Sequence, residues 1–157
     1  MAYAELHCIS NFSFLRGASH PGELVMQAAE LGYSAIAITD ECSLAGIVKA
    51  HVVAKECGIQ LLVGSEFVLS EGIKLVLLAP HRDAYAQLST LITVARRRSP
   101  KGEYSLKLND LKRGADEQLA IYLPCYLNSN LPAEDKQDST RYIDDLKRVF
   151  KNNVWVG

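Results

Sequence analysis

The sequence has 157 residues, of which 48% are hydrophobic and 22% are charged. This composition excludes a disordered or membrane-spanning class, and the length suits one compact domain, or part of one, without room for a second domain of ordinary size. A formal net charge of −1 gives the chain as a whole no attraction for DNA, so any nucleic-acid contact has to be local.

Strand and helix patterns alternate along the first half of the chain. The predicted strands cover residues 3–9, 35–38, 61–63, 74–79 and 119–123, with a last strand from 154. The predicted helices cover residues 21–31, 43–56, 83–95 and 140–150. Pro21 opens the first helix, while Gly32 and Gly58 end the first and the second. Because the strands are continuously apolar and closely connected, the order predicts an α/β fold with parallel strands covered by helices, either an open sheet or a barrel.

The last third of the chain contains one long polar segment and ends abruptly. Residues 124–138 are rich in Asn, Ser, Pro and acidic side chains, which predicts an exposed loop. The chain stops inside the last predicted strand, so we expect residues 1–157 to be a fragment of a longer chain. A barrel left open in this way is predicted to have an uncovered apolar edge near Val154–Val156.

The cysteines and the amino terminus indicate the cellular compartment. Cys8, Cys42, Cys57 and Cys125 have no paired spacing, and no secretion signal precedes them. No apolar run approaches the ~20 residues that a membrane helix needs. We therefore expect a cytoplasmic protein with reduced thiols and no membrane partner.

Polar residues follow the predicted strands at the edge where the carboxyl ends of parallel strands meet. They are His7 after the first strand, Asp40 and Glu41 after the second, and Glu66 after the third. One imidazole and three carboxylates on a single face suit Zn²⁺ or Mn²⁺. The same residues also fit ordinary structural roles, with Asp40 capping the following helix, Glu66 starting a loop and His7 partly buried.

One basic cluster stands at the end of the third predicted helix. It consists of Arg96, Arg97, Arg98 and Lys101. Cations at a helix carboxyl end are stabilised by the helix dipole and are commonly solvated. The alternative is a phosphate contact, although Tyr104 is the sole aromatic residue nearby, which does not favour stacking on single-stranded DNA.

Four ordered segments resemble the PHP (polymerase and histidinol phosphatase) domain of bacterial DNA polymerases of the polymerase III α type. They are Leu6–Gly17, Ala35–Asp40 with Gly46, Gly58–Phe67, and Leu75–Ala79 with Tyr85 and Leu88. The match runs from Tyr3 to about Leu111. Residues 8–12, 40–43 and 95–104 are similar to the error-prone branch of these polymerases. The resemblance implies a distorted (β/α) barrel, here truncated.

The resemblance also implies a metal site, from which this sequence departs. An active PHP site is implied to use a histidine pair and further histidines and acids. Ile9 stands where the second histidine of the pair is expected, and Arg16 stands where an acid is common. Glu41 and Lys74 stand where the family pattern has histidines. Asp40 also belongs to this degenerate pocket. His7 and Glu66 are the remaining ligands, and because two ligands alone would not hold a metal tightly, we expect no bound metal. Arg16 and Lys74 are instead predicted to pair with Glu41 or Glu66.

The resemblance implies a parent protein that is an error-prone DNA-directed DNA polymerase acting in DNA-damage-induced translesion synthesis. Its nucleotidyl transfer would use Mg²⁺ and acids beyond residue 157, so this chain is expected to contain no catalytic residue or cofactor. DNA, reached through the parent, and mutagenesis-cassette proteins are the expected partners, with the sliding clamp a candidate. Two alternatives to a structural and interaction domain are an active metal-dependent phosphoesterase or proofreading nuclease, and an unrelated binding module.

Overall fold

A computed structural model describes residues 3–124 and 142–157 as one six-stranded sheet with helices on one face. The strands are β1 (Ala4–Cys8), β2 (Ala35–Ile38), β3 (Gln60–Val68), β4 (Lys74–Ala79), β5 (Leu119–Tyr122) and β6 (Val154–Val156). The helices are α1 (Pro21–Glu30), α2 (Ile47–Cys57), α3 (Arg82–Arg97) and the short α4 (Leu108–Leu111). Residues 142–149 are also helical.

The strands lie in the sheet in their chain order, and β4 runs against its neighbours. The pairs β1–β2, β2–β3 and β5–β6 are parallel, as predicted, whereas β3–β4 and β4–β5 are antiparallel. The predicted α/β fold with covering helices is confirmed, whereas the prediction that the strands are parallel is wrong for β4. Residues 69–73 are the whole connection between β3 and β4, and so short a link can form a hairpin but not a crossover.

Two helix boundaries differ from the sequence prediction. The helix predicted from Ser43 begins at Ile47, because Cys42 has a positive φ of 45° and the Ser43 amide donates to Ser65 Oγ at 3.1 Å, which holds this segment out of a helix. The short helix α4 was not predicted. The final predicted helix is helical over its described part, and the predicted loop 124–138 lies, after Pro124, outside the described residues.

Successive side chains along a strand point to opposite faces of the sheet, and the two faces pack against different residues. On β4, Leu75 and Leu77 belong to the larger core, together with residues of α3, α4 and the helical segment 142–149. Val76 and Leu78 point to the other face, where they contact residues of β3 and β5. A second helix-covered core lies between α1, α2 and the strands β2 and β3. One face of the sheet is therefore covered by helices.

The other face of the sheet lines an apolar hollow of about 680 Å³. Within the described ranges, β1 and β6 each pair on one side only, so the sheet is not closed into a barrel. Trp155 and Val156 are 53% and 57% exposed at the β6 edge, which confirms the predicted uncovered edge. No helix in the described part of the chain is long and apolar enough to cross a membrane.

Candidate functional site

Glu66 is the centre of a charged pocket at one rim of the sheet. It lies near the end of β3, and its side chain is 0% exposed. The backbone is fixed there because the Glu66 amide donates to the carbonyls of Thr39 and Asp40, while the Cys42 amide donates to the Glu66 carbonyl at 2.9 Å. Glu66 shares the hollow side of β3 with Leu62, since residues two apart on a strand face the same way.

Three basic side chains from different elements surround this carboxylate. His7 Nε2, at the end of β1, lies 2.7 Å from Glu66 Oε2, and Lys74 Nζ, at the start of β4, lies 3.1 Å from the same oxygen. Arg16, in the loop after β1, donates from NH1 to Oε1 at 2.5 Å and from NH2 to Oε2 at 3.3 Å. Both oxygens of the Glu66 carboxylate therefore accept from basic side chains, three donors lying at Oε2 and one at Oε1.

Lys74 reaches the pocket because β4 is antiparallel to β3. In the register of this pair Val68 lies opposite Lys74 and Glu66 opposite Val76, which makes Lys74 a diagonal neighbour of Glu66 on the same face. In a parallel pair the start of β4 would lie at the opposite rim. Lys74 therefore lies at this rim because β4 is antiparallel, which is not the reason given by the parallel-sheet prediction.

Glu41 is the second carboxylate of the pocket and lies beside Glu66. Arg16 NH1 donates to Glu41 Oε2 at 2.7 Å, so one guanidinium bridges both carboxylates. Tyr104 donates from its hydroxyl to Glu41 Oε1 at 2.8 Å and accepts from the Val68 amide at 2.8 Å. Burial, reinforced by the Glu41 carboxylate, raises the pKa of Tyr104, so its hydroxyl remains a hydrogen-bond donor.

The basic neighbours decide the charge state of Glu66. Burial by itself raises the pKa of this carboxyl, but hydrogen bonds from His7, Arg16 and Lys74 outweigh burial and lower the pKa from 4.5 to about 2. Glu66 therefore remains ionised in the folded protein well below the pH at which it is protonated in the unfolded chain.

Acid is expected to weaken the fold through this group. Because the folded-state pKa of Glu66 is depressed, its contribution to the free energy of unfolding is complete above about pH 4.5 and is lost as the pH falls towards about 2. The loss should be on the order of 3 kcal/mol. Urea unfolding of the wild type and of Glu66→Gln across this range measures it, since other carboxylates titrate equally in both. The two stabilities should converge at low pH; a constant difference would contradict the assignment.

Asp40 lies at the same rim but does not face the charged pocket. Its buried carboxylate accepts from the Ser10 amide at 2.8 Å, from Ser10 Oγ at 2.7 Å and from Ser13 Oγ at 2.8 Å. The expectation that Asp40 caps the next helix was wrong, because α2 begins after Gly46 without a side-chain cap. Asp40 instead fixes the loop that carries Arg16.

The basic cluster at the end of α3 is divided among several roles. Arg96 donates to the carbonyls of Glu41, Cys42, Gly102 and Glu103, all at 3.2 to 3.3 Å, and its guanidinium lies over the ring of Tyr104. Arg98 forms a bidentate pair with Asp110 at 2.6 and 3.0 Å. Arg97 and Lys101 are exposed. A phosphate contact by the whole cluster remains a prediction, with two of its four members occupied by the protein itself.

The pocket does not fit a divalent metal. A metal ion would lie about 2.0 to 2.2 Å from a carboxylate oxygen, where the donors of Arg16 and Lys74 already stand. Ile9, partly buried just beyond β1, has no ligating atom. Within the described residues, three metal-ligating side chains come together only at the exposed set His81, Asp83 and Glu117, away from the pocket.

Sequence reasoning missed Tyr104 and the serines that hold Asp40. Tyr104 reaches Glu41 across 63 residues through the turn after α3, and nothing in its local sequence indicates this contact. Ser10 and Ser13 stand within the loop between β1 and α1, where two closely spaced hydroxyls are a weak sign of side-chain binding to a nearby carboxylate.

Comparisons with known proteins identify the fold and the family. A protein of Teredinibacter turnerae named error-prone DNA polymerase is 54% identical over 157 residues, which are 100% of this chain and 14% of that protein. The chain thus spans about a seventh of the length of this relative.

Two solved structures share the fold at low sequence identity. One, from Bifidobacterium adolescentis, is provisionally named a metal-dependent phosphoesterase, with a TM-score of 0.60, 17% identity, and coverage of 92% of this chain and 74% of that chain. The other is an amidohydrolase from Chromobacterium violaceum, with a TM-score of 0.65, 18% identity, and coverage of 94% and 74%. The sequence model of the PHP domain matches residues 5–156. The chain therefore belongs to the PHP domain family.

Proposed function

We propose that this chain is the amino-terminal PHP domain of an error-prone DNA polymerase and that it acts there as a structural and interaction domain, without hydrolysing phosphate esters. The high identity to a protein named error-prone DNA polymerase supports the first part. The second part is supported by the charged pocket around Glu66. At this place an active site of the family is implied to hold a metal.

The observation that carries the proposal is the complete pairing of Glu66 with side-chain cations. Glu41 and Glu66 supply two negative charges, and Arg16 and Lys74 supply two positive charges within 3.1 Å of them. The two negative charges are therefore balanced by two side-chain cations without a metal. Fixed guanidinium and ammonium groups cannot activate a water molecule as a metal ion does.

The parent protein's chemistry remains a prediction. Nucleotidyl transfer with Mg²⁺, translesion synthesis after DNA damage, and binding to mutagenesis-cassette proteins or the sliding clamp would all depend on residues outside this chain. A cytoplasmic location likewise remains an expectation. The domain would contribute a rim held rigid by Glu66 and its partners.

A metal-dependent phosphoesterase is the second candidate, favoured by the fold shared with the Bifidobacterium protein. This candidate has less support because a shared fold does not imply shared function, and because Arg16 and Lys74 occupy the oxygens that a metal would need.

A phosphoesterase assay separates the two candidates. The chain, incubated with Mn²⁺ or Zn²⁺ and a chromogenic phosphodiester, should release no more product than a heat-denatured sample, because the pocket does not form a metal site. A chelator and His7→Ala serve as controls for contamination. Release that is abolished both by the chelator and by His7→Ala would reject the structural role.

A further inference from the structure

A basic groove lies on the covered side of the fold, remote in sequence from the Glu66 pocket. It has a volume of about 530 Å³ and is lined by Lys112, Arg113, Asp116, Arg148, Val149 and Lys151. Four cations and one carboxylate give this lining a formal charge of +3, although the whole chain has a net charge of −1. The groove is therefore a local concentration of positive charge on a weakly acidic protein.

Two of these four cations pair with carboxylates, and the other two form no salt bridge in the described part of the chain. Lys151 pairs with Asp116 at 2.9 Å, and Arg148 pairs with Asp145 at 3.3 Å; both cations are exposed. Asp110, one turn before Arg113, is taken by its bidentate pair with Arg98. Over residues 3–124 and 142–157, no carboxylate forms a salt bridge with Lys112 or Arg113.

Buried neighbours hold the groove in shape. Lys112 and Arg113 directly follow Leu111, which is 0% exposed and belongs to the larger core. Lys151 directly follows Phe150, also 0% exposed in that core, in a turn closed by the Asn153 amide on the Phe150 carbonyl at 2.8 Å. Lys112, Arg113 and Lys151 thus lie in turns next to core residues, and Arg148 lies on the helical segment 142–149.

The chemistry of the lining favours phosphates as the ligand. Val149 is the sole apolar lining residue and is 7% exposed, so a protein partner would find no apolar anchor there. No aromatic side chain lines the groove, so the bases of a single strand would have no stacking surface. Contacts with a duplex backbone, in contrast, need only positive charge at the right spacing.

We propose that this groove binds the phosphodiester backbone of duplex DNA without sequence preference, through Lys112, Arg113, Arg148 and Lys151. The choice of DNA over other polyanions rests on the proposed function as a polymerase domain. The groove would give the domain a local contact with the duplex, although the net charge of the whole chain does not attract DNA.

Fluorescence anisotropy with a labelled duplex of arbitrary sequence tests the proposal. The wild-type chain should bind, and Lys112→Gln combined with Arg113→Gln should weaken binding by a factor on the order of 50 at about 0.1 M salt, because each phosphate contact contributes roughly eightfold there. The slope of log affinity against log salt should decrease by about 1.8. Circular dichroism melting checks that the variant is folded.

A matched variant removes the same charges elsewhere. Lys49→Gln combined with Lys55→Gln also deletes two exposed cations, both on α2, and should change the affinity by less than about threefold, because distant charges are screened at this salt concentration. Equal weakening by both double variants would reject the groove as the site.

Three other results would overturn the proposal. They are a wild-type chain that does not bind the duplex, a groove variant that binds as tightly as the wild type, and competition by polyglutamate as strong as that by DNA at equal charge. The binding measurement needs neither metal nor enzymatic turnover. The groove proposal can therefore be rejected while the phosphoesterase assay still supports the structural role, and the structural role can be rejected while the groove still binds DNA.

Discussion

Replacing Glu66 with alanine is expected to destabilise the protein more than any other single substitution in the pocket, by about 3 to 5 kcal/mol. Glu66 is 0% exposed and is the acceptor for His7, Arg16 and Lys74. Its removal leaves two cations close together without their shared anion, and a cavity where the side chain stood. Urea unfolding at neutral pH measures the loss.

Matched substitutions separate the pairing from a general effect of losing a carboxylate. Glu30→Ala, at an exposed position near the end of α1, should change stability by no more than about 0.5 kcal/mol. Lys74→Ala should cost less than Glu66→Ala, because Arg16 and His7 still pair with Glu66 and Lys74 is 34% exposed. A loss below about 1 kcal/mol for Glu66→Ala would mean that the pairs contribute little.

Restoring the implied ligands should create a metal site where the wild type has none. In the combined variant Ile9→His, Arg16→Glu, Glu41→His and Lys74→His, two cations are removed and three imidazoles are added around Glu66. Neutral imidazoles and carboxylates are suitable ligands for Zn²⁺ and Mn²⁺. Metal at about 1,000 times its Kd would then stabilise the variant by about 4 kcal/mol.

Thermal unfolding with and without the metal measures this gain. Adding Glu66→Gln to the combined variant is the control, and it should abolish the response because it removes a charged ligand. The wild type should not respond to either metal. An identical response in the wild type and the combined variant would mean that the metal binds elsewhere, for example at the exposed His81 set.

The rule that strand ends converge predicted much of the pocket. His7, Glu41 and Glu66 were expected at one rim from their positions after apolar strands, and the structure places them there. The ion pairs expected from Arg16 and Lys74 are present as well. The positions of His7, Glu41 and Glu66 follow from strand order and from the alternation of side chains, both of which are visible in the sequence. The pairing of Arg16 and Lys74 was expected instead from charge balance in the pocket that the resemblance implies, and Lys74 reaches the pocket because β4 is antiparallel to β3.

The features that sequence reasoning missed depend on the path of the loops. The antiparallel direction of β4 could have been inferred from the short connection 69–73, since a parallel crossover needs about a dozen residues. The orientation of Asp40 towards Ser10 and the contact of Tyr104 with Glu41 could not, because each is set by how a loop folds back across the rim. Side-chain direction in loops has no simple period.

The metal content of the purified chain is the most direct test of the claim that side-chain cations have replaced a metal in this pocket. The chain would be dialysed against Zn²⁺ or Mn²⁺, freed of unbound ions and subjected to elemental analysis. We expect no stoichiometric metal, because the oxygens of Glu66 are occupied by His7, Arg16 and Lys74. One equivalent of bound metal that disappears in both His7→Ala and Glu66→Gln would contradict the claim.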